Sequence, residues 1–279
     1  MRKHNLVHVL LLSIFLYSCQ QGVDFAERNN PGNELLVKTV NKSAGDSVIT
    51  HYIYDHARRL VREKREGFRN GSNVGNDILL VRNSAGILTK MIEKAPYLLA
   101  SGVDSVLTEY VYNNTLKRYT HCIITTQQQS VSVRDSIVFI YNSAGKIIVD
   151  DHFQYVSINP HIARYRQEYV YSAAGNVDSV KMVDQDPVTG EYTMSFYVAY
   201  TYDNKVNPLQ MGNDALLMTR PEFTGPNNEV STAVVTLYSP SSNYSYSKVL
   251  AYKINGKPET GVMTRLPEGS TTNLTYYYQ

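Results

Sequence analysis

The feature that most constrains the fold is a four-residue phrase that recurs at a nearly constant interval. It consists of an aromatic or apolar residue, a second apolar residue or threonine, usually a tyrosine, and then Asp, Asn or Ser. Its first residues fall at positions 52, 80, 110, 139, 169 and 200, so the steps are 28, 30, 29, 30 and 31 residues. A step of this size indicates one supersecondary unit copied along the chain. The copies are residues 52–55 (YIYD), 80–83 (LVRN), 110–113 (YVYN), 139–142 (FIYN), 169–172 (YVYS) and 200–203 (YTYD).

Several copies lead into a shared turn sequence that begins with Asn or Ser and ends with Ala-Gly. Residues 83–86, 142–145 and 172–175 have this sequence, and residues 43–45 have a shorter version. An Asn or Ser side chain can accept hydrogen bonds from the next backbone amides. Glycine readily takes the left-handed conformation that closes a type I turn with a bulge. The pattern therefore predicts tight β-hairpins.

Spacing within the strands predicts which residues share a face of the sheet. Val48, Tyr52 and Tyr54 are separated by even numbers of residues and fall on one face, whereas Ile49 and Ile53 fall on the other. Apolar residues on both faces favour a sheet that is covered on both sides or curled over itself. The sequence therefore predicts an all-β fold: a large antiparallel meander of repeated hairpins, curled or incompletely closed like a barrel.

The regular spacing is interrupted in three places. Residues 62–77 are charged and rich in Gly and Asn, which predicts a long hairpin tip or loop, and residues 184–190 predict a turn. Residues 211–230 break the period and contain a short helical pattern at 214–218. We expect a single repeat-built β domain over residues 35–279. Its last three predicted strands are residues 233–238, 248–254 and 273–278.

Residues 1–18 have the pattern of a lipoprotein signal peptide. A basic start precedes an apolar stretch of about a dozen residues, too short to span a membrane as a helix. The stretch ends in residues 16–19 (LYSC), which resemble a bacterial lipobox and imply that Cys19 becomes the lipidated first residue. Residues 19–34 then predict a lipidated cysteine and a flexible tether. The alternative is an ordinary secreted protein cut near this point, in which Cys19 is incidental.

Charge and cysteine content narrow the possible partners. The formal net charge is +2, and removal of Arg2 and Lys3 with the leader leaves 25 basic and 25 acidic residues. Because there is no basic excess, no nucleic-acid partner is expected. If Cys19 is acylated, Cys122 is the one remaining cysteine and no intramolecular disulfide can form. Cys122 is interpreted as a buried apolar residue in a strand.

Few residues form a pattern with a known catalytic or metal-binding chemistry. Asp184 and Asp186 are interpreted as part of a hairpin turn, because a calcium-binding hand needs a glycine where none occurs. Asp150, Asp151 and His152 are adjacent on a predicted strand, so they point to opposite faces, and we interpret them as a solvated strand. The sequence predicts no catalytic residue, no metal site and no cofactor, and therefore a protein that is not an enzyme.

Three tyrosines outside the regular spacing are the predicted binding residues. Tyr238, Tyr244 and Tyr246 lie in or beside the Ser-rich run 239–243, which predicts an exposed loop. Exposed aromatic rings can form a platform for a carbohydrate or a peptide. The tyrosines of the recurring phrase are assigned to packing instead, because a ring at alternate positions of every unit forms a cross-strand ladder.

The last third of the chain resembles a known family. Residues 200–209 (YTYDNKVNPL), 227–230 (NNEV) and 250–258 (LAYKINGKP) follow an order that is similar to that of a family of Bacteroidetes lipoproteins. These carry a domain of unknown function described as porin-like in fold. The hairpins also resemble the tyrosine-aspartate repeats of Rhs-type proteins. The resemblance extends over about residues 35–279, implies a large antiparallel sheet that is curled or incompletely closed, and supplies no catalytic residue.

The leader and the resemblance together predict a lipid-anchored envelope protein of a Gram-negative bacterium. Its anchor at Cys19 would lie in the outer membrane, on either the periplasmic or the surface side. We expect a non-enzymatic binding or accessory module whose ligand is a glycan or an envelope protein. A structural scaffold in an outer-membrane complex is the alternative, and a glycan-active enzyme is a third possibility. A membrane pore is not predicted, because the strands lack a clean apolar outer band with aromatic girdles.

Overall fold

The computed structural model of the protein describes residues 34–128, 131–156, 159–239 and 242–279. Antiparallel strands dominate these residues, and two short helices and a 3-10 turn lie between strands. The helices are α1 (Pro96–Ala100) and α2 (Asn213–Leu217), and the 3-10 turn is Pro221–Phe223. The strands are β1 (Leu36–Ser43), β2 (Asp46–Tyr54), β3 (Leu60–Arg69), β4 (Ser72–Asn73), β5 (Asn76–Arg82), β6 (Leu88–Lys94), β7 (Val103–Asn113), β8 (Arg118–Gln128), β9 (Val131–Tyr141), β10 (Ile147–Val156), β11 (Asn159–Tyr171), β12 (Val177–Gln185), β13 (Tyr192–Val206), β14 (Asn227–Thr236), β15 (Tyr244–Tyr252), β16 (Pro258–Leu266) and β17 (Thr271–Tyr278).

The strands form one sheet that closes into a barrel. Successive strands pair antiparallel around the sheet, with β3 pairing directly with β5, and the two-residue β4 is an addition beside β3. The ring is completed by β17 and β1, which pair from Asn273 opposite Lys42 to Tyr278 opposite Leu36. Sixteen strands thus close the barrel, with one extra strand. The predicted antiparallel meander is confirmed, and the sheet is closed rather than incompletely closed.

The two ends of the barrel differ in their connections. We define the terminal end as the one where the backbones of Leu35 and Gln279 bond to each other, at N–H···O distances of 2.8 and 3.0 Å. The distal end is the opposite one, where α1 lies. Because successive strands run in opposite directions, successive connections alternate between the two ends. The terminal-end connections are residues 55–59, 83–87, 114–117, 142–146, 172–176, 207–226 and 253–257. The described distal-end connections are residues 44–45, 70–75, 95–102, 186–191, 237–239, 242–243 and 267–270.

The tight turns of the terminal end have the predicted geometry. The Oδ1 atoms of Asn83 and Asn142 each accept two backbone N–H bonds, from residues two and four positions later, at 3.0 to 3.1 Å. Gly86, Gly145 and Gly175 close these turns with φ angles of 84°, 74° and 94°, which glycine adopts at the least cost. The ladder shifts register beside each of the three turns, as the predicted bulges require.

Alternate residues of each strand face the lumen. The predicted alternation of β2 is confirmed, because Val48 and Tyr52 are buried whereas Ile53 is exposed. Cys122 on β8 is buried as well, as the sequence predicts. The inward side chains of the terminal half belong to one apolar cluster. Its buried members are Leu36, Tyr52, Leu60, Ile78, Leu80, Leu88, Tyr110, Tyr119, Cys122, Ile137, Phe139, Ile147, Tyr169, Val177, Val180, Leu209, Leu216, Leu217 and Met218.

The long connection between β13 and β14 packs against this cluster and closes the terminal end. We refer to residues 207–226 as the plug. The Tyr110 hydroxyl, inside the barrel, donates a hydrogen bond to the carbonyl oxygen of Leu217 at 2.7 Å. Arg220 forms an ion pair at 2.8 Å with Glu63, which faces the lumen from β3. The plug therefore occupies the lumen instead of extending into solvent.

Other sequence predictions have mixed outcomes. The helix at 214–218 and the turn at 184–190 are confirmed by α2 and by the β12–β13 connection. The loop predicted over 62–77 is wrong in its first half, because β3 continues to Arg69 by pairing with β2 and β5. Neither α1 nor β16 was predicted as a separate element. The predictions for residues 1–18 and Cys19 lie outside the described residues. Among the residues described, no helix has the length and apolar character needed to cross a bilayer.

Candidate functional site

The lumen changes in character from one end of the barrel to the other. In the terminal half the inward side chains, such as Leu80, Tyr110 and Phe139, are buried beneath the plug. A sixteen-stranded barrel is wide enough to hold water where side chains do not fill it. The candidate site is the distal half of the lumen together with its rim. Its inward side chains are half-buried and mostly polar: Arg65, Asn76, Glu93, Asp135, Gln154, Tyr165, Asp184, Tyr244, Met263 and Thr272.

Asp150 lies at the base of this half, on the inward face of β10. Only 2% of the residue is exposed, and this burial raises the pKa of its carboxyl to about 7 although the Tyr169 hydroxyl acts against the shift. That hydroxyl donates to Asp150 Oδ2 at 2.5 Å. The other oxygen, Oδ1, has no hydrogen-bond partner among the described residues. Burial, and then the nearby Asp150 charge, raise the pKa of the Cys122 thiol to about 12, so this thiol stays neutral.

His152 follows on the same inward face, one step closer to the distal end. It is 5% exposed, and its ring stacks on Tyr165 with the ring centroids 4.2 Å apart. Burial lowers the pKa of the imidazole to about 4, although the Asp151 charge acts in the opposite direction. The histidine is therefore neutral near pH 7, and its Nε2 atom has no partner among the described residues. Asp150 and His152 thus present two unpaired polar atoms on the inward face of one strand.

Asp151 points to the outer wall instead. Arg164 donates to its two carboxylate oxygens at 3.1 and 2.5 Å, and Arg166 lies against the same group. Burial alone would raise the pKa of Asp151, but the hydrogen bonds from the two arginines outweigh it and the pKa is lowered. The alternation predicted for residues 150–152 is confirmed. The interpretation as a solvated strand is wrong, because all three residues are buried, two in the lumen and one beneath arginines.

Exposed aromatic and apolar side chains stand on the distal rim. Phe68 is the second-last residue of β3, and Tyr97 and Leu99 belong to α1; all three are more than half exposed. Phe68, Leu99 and Pro96 line a shallow depression of about 340 Å³. These residues were not predicted from the sequence. The one signal was Pro96 followed by an apolar run, because proline is favoured in the first turn of a helix.

The predicted binding tyrosines separate in the structure. Tyr238 lies in the β14–β15 connection at the distal rim and is 70% exposed. Tyr244 and Tyr246 do not lie in a loop: they are half-buried on β15 and face the lumen opposite Val234 and Thr232. Their assignment to the exposed loop is wrong, because the β14–β15 ladder begins at Tyr244. The structure therefore brings Tyr238 to the rim and the other two into the lumen wall.

The carboxylates of the β12–β13 connection form a turn. Asp186 Oδ1 accepts backbone N–H bonds from Val188 and Thr189 at 2.8 and 2.9 Å, the arrangement of an Asx turn. The hairpin-turn interpretation is thus confirmed. Across the described ranges, no group of three or more His, Cys, Asp or Glu side chains is placed to hold a metal ion.

Two solved structures share this fold. A porin-like protein from Bacteroides vulgatus aligns with a TM-score of 0.55 and 9% sequence identity, over 88% of this chain and 99% of that protein. A porin-like protein from Bacteroides uniformis aligns with a TM-score of 0.50 and 12% identity, over 91% of this chain and 99% of that protein. No protein-family model matches the sequence, and no curated protein matches it. The likeness confirms the expected porin-like fold and concerns the fold alone.

Proposed function

We propose that this protein is a lipid-anchored, non-enzymatic binding module of the bacterial envelope that holds a glycan at the distal end of its barrel. The observation that carries the proposal is the difference between the two ends. The terminal end is filled by tyrosines and the plug, whereas the distal end combines exposed aromatic rings with a half-buried polar lumen. The anchor is Cys19, and the proposed location is the outer membrane.

Two features support a binding role over a conducting pore. The plug and its contacts occupy the terminal end of the lumen. The outer wall has ion pairs between neighbouring strands, such as Lys90 with Glu109 at 2.9 Å and Arg62 with Asp77 at 2.5 Å. Lys or Arg on the lipid-facing side of a barrel costs about 2–4 kcal/mol at the bilayer midplane. Such a wall suits a barrel that lies outside the hydrocarbon core.

The chemistry of the distal end favours a neutral or cationic glycan. Tyr97 and Tyr238 offer exposed ring faces, and ring faces pack against apolar surfaces of a ligand. Gln154 and Asp135 offer amide and carboxylate groups deeper in the lumen, of the kind that fix a ligand's orientation. The charged residues of the distal connections are acidic, among them Asp186. They would repel an anionic ligand.

A scaffold role has less support. Among the strands that the structure describes, the closed ring leaves no long edge to which a partner strand could add. The enzyme alternative also has little support, because Asp150, the carboxyl whose pKa lies near 7, is only 2% exposed. A polymer that enters from the distal rim would meet Gln154 and Tyr165 first.

The anchor and the ligand site require separate tests. Cells that express the wild type or Cys19→Ala would be fed a labelled fatty acid, and the protein would then be followed in the membrane and soluble fractions. We expect the label in the wild type alone and release of the variant from the membrane fraction. Label in both, or membrane retention of the variant, would refute the anchor at Cys19.

The ligand site would be tested on an array of neutral, cationic and anionic oligosaccharides. Tyr97→Ala and Tyr238→Ala should each weaken binding at least about fivefold, the equivalent of about 1 kcal/mol for a contact residue. Tyr277→Ala is the matched control, because Tyr277 is an exposed tyrosine on the outer wall near the terminal end. Equal weakening by all three, or binding to no oligosaccharide, would refute the glycan site.

A further inference from the structure

The short connections at the two ends of the barrel differ in charge. The six short terminal-end turns contain six basic residues and one acidic residue, Asp55. The basic residues are Arg58, Arg59, Lys117, Lys146, Lys253 and Lys257. The described distal-end connections contain no Lys or Arg and three acidic residues: Asp186, Glu191 and Glu268. The short connections of the two ends therefore differ in the sign of their charge, although basic and acidic residues balance over the chain that follows the leader.

The plug does not cancel the basic character of the terminal end. Its acidic residue Asp214 pairs with Arg82 at 2.8 Å, and its Arg220 pairs with Glu63. Glu222, its third charged residue, is half-buried, and burial raises the pKa of its carboxyl. The charges of the plug thus face the interior. The basic turns form the outer surface of this end, except for Lys257, whose side chain is buried and donates to the carbonyl oxygen of Glu34 at 2.8 Å.

Apolar side chains accompany the basic turns. Leu116 and Ile254 lie at turn tips and are exposed, each next to a lysine in the sequence. Several strands also carry one exposed apolar or aromatic residue near their terminal-end limit. In each strand this residue points outward, and its two neighbours in the strand point inward. These residues are Ile53, Val81, Val111, Ile140, Val170 and Tyr277.

The distal end also has exposed apolar residues, among them Val188 and Tyr238. Apolar exposure alone therefore does not distinguish the ends. The two ends are distinguished by the sign of the charge on their connections and by the place where the chain enters the barrel. Leu35 enters the barrel at the terminal end, so the residues that lead back to Cys19 join the domain there.

We propose that the terminal end docks on an anionic lipid surface, with the basic turns against the headgroups and the exposed apolar residues at the headgroup–acyl boundary. This inference deepens the proposed function, because it states which end faces the membrane. Interfacial apolar groups are buried to a depth of about 5–10 Å. Ile53, one of the exposed apolar residues of the outer wall, lies two positions before its turn. At roughly 3.3 Å per strand residue, its distance from the turn is within that depth.

Vesicle binding tests the surface independently of the lipid anchor. All strand pairings described lie within residues 34–279, so a chain that begins at residue 20 keeps the barrel and lacks both leader and Cys19. This unlipidated chain should sediment with vesicles that contain phosphatidylglycerol at least tenfold more strongly than with pure phosphatidylcholine vesicles. Salt at about 1 M, where the Debye length is about 3 Å, should remove most of the difference. No preference for anionic vesicles would overturn the inference.

Paired variants test the orientation. Leu116→Ser combined with Ile254→Ser should weaken vesicle binding at least fivefold, whereas Val188→Ser combined with Tyr238→Ser, at the distal end, should leave it unchanged. All four residues are exposed, so neither pair removes core packing. An equal effect of the two pairs, or a larger effect of the distal pair, would overturn the inference.

A fluorescent label gives a second measurement that does not depend on affinity. Ile254→Cys and Val188→Cys would be labelled separately; the native Cys122 is buried, and burial raises the pKa of its thiol. Brominated phospholipids should quench the label at position 254 and leave the label at 188 bright. Quenching at 188 alone, or at both positions equally, would contradict docking by the terminal end. If Cys19 proves not to be acylated, these results stand and the anchor alone fails.

Discussion

The terminal and distal halves of the barrel are built from the same sixteen strands and differ in what their inward faces do. Along β10, Ile147 is fully buried at the terminal end, Asp150 and His152 follow as buried polar residues, and Gln154 is half-buried toward the distal end. One strand therefore passes from apolar packing to a polar lumen within eight residues. The stabilising contacts are concentrated at one end, which leaves the other end free to vary in chemistry.

The difference has a physical origin. Buried apolar surface stabilises a fold by about 25 cal/mol per Å², and the terminal half buries tyrosine rings, aliphatic side chains and the plug together. Buried polar atoms without partners cost free energy. Asp150 Oδ1 and His152 Nε2 have no hydrogen-bond partner within the described part of the chain. The apolar burial of the terminal half thus offsets the free-energy cost of the buried polar atoms, which lie at the boundary between the two halves.

The largest expected effect is loss of the plug packing. Leu216 on α2 is 1% exposed and belongs to the terminal cluster. Leu216→Ala should lower the free energy of unfolding by about 2–5 kcal/mol, the range for a buried Leu→Ala change. The matched control is Leu237→Ala, because Leu237 is half-exposed at the distal rim. Its effect should lie within about 1 kcal/mol.

Urea denaturation followed by circular dichroism would measure both variants. Similar losses of free energy of unfolding for Leu216→Ala and Leu237→Ala would contradict this prediction, because the distal rim would then contribute to stability as much as the plug does.

A second prediction concerns pH dependence at the boundary between the halves. The Asp150 carboxyl binds its proton more tightly in the folded state, because its pKa there is about 7, so its contribution to stability falls as pH rises from about 4 to 7. His152 binds its proton less tightly in the folded state, because its pKa there is about 4. Its contribution falls as pH decreases from about 6.5 to 4. Each effect is on the order of 1.4 kcal/mol per pKa unit.

Asp150→Asn and His152→Gln should therefore diverge from the wild type in opposite directions. Relative to the wild type, Asp150→Asn should gain stability as pH rises from 4 to 8, whereas His152→Gln should gain stability as pH falls. The free energy of unfolding would be measured for all three proteins across this range. Differences that do not change with pH would show that neither group is buried in the form described.

The sequence predicted the terminal half better than the distal half. Local chemistry determines the terminal end: Asn142 and Gly145 specify a turn, and the phrase at 139–142 specifies which residues face inward. Closure depends instead on β1 and β17, whose partners Lys42 and Asn273 are far apart in the chain, and no local signal reports such a pairing.

The distal residues were misjudged for a related reason. Asp150 and His152 are residue types typical of a solvated strand. They are buried because the sheet curves and because Phe139 and Ile137 lie opposite them. Tyr246 follows a Ser-rich run in the sequence, which is typical of a loop. It lies on the lumen wall because it pairs with Thr232 on the neighbouring strand. In each case the sequence predicts which residues share a face of the strand. It does not predict which of the two faces is buried inside the barrel.

The smallest expected effect tests why the third residue of the recurring phrase is usually a tyrosine. The Tyr171 hydroxyl donates to the carbonyl oxygen of Ile147 on a neighbouring hairpin at 2.6 Å. Three other tyrosines near the terminal end make the same kind of bond, each to a carbonyl at or near the start of a strand. They are Tyr54 to Leu36, Tyr202 to Val177 and Tyr278 to Pro258, at 2.8 to 2.9 Å.

Tyr171→Phe removes this hydroxyl and keeps the ring, over which Lys146 lies at 4.6 Å. The free energy of unfolding should fall by about 0.5–1.5 kcal/mol, the net value of one hydrogen bond. Tyr238→Phe, which removes an exposed hydroxyl at the distal rim, should leave stability unchanged. If Tyr171→Phe has no effect while Leu216→Ala is costly, the tyrosine contributes through its ring alone. The recurring hydroxyl would then play no part in holding neighbouring hairpins together.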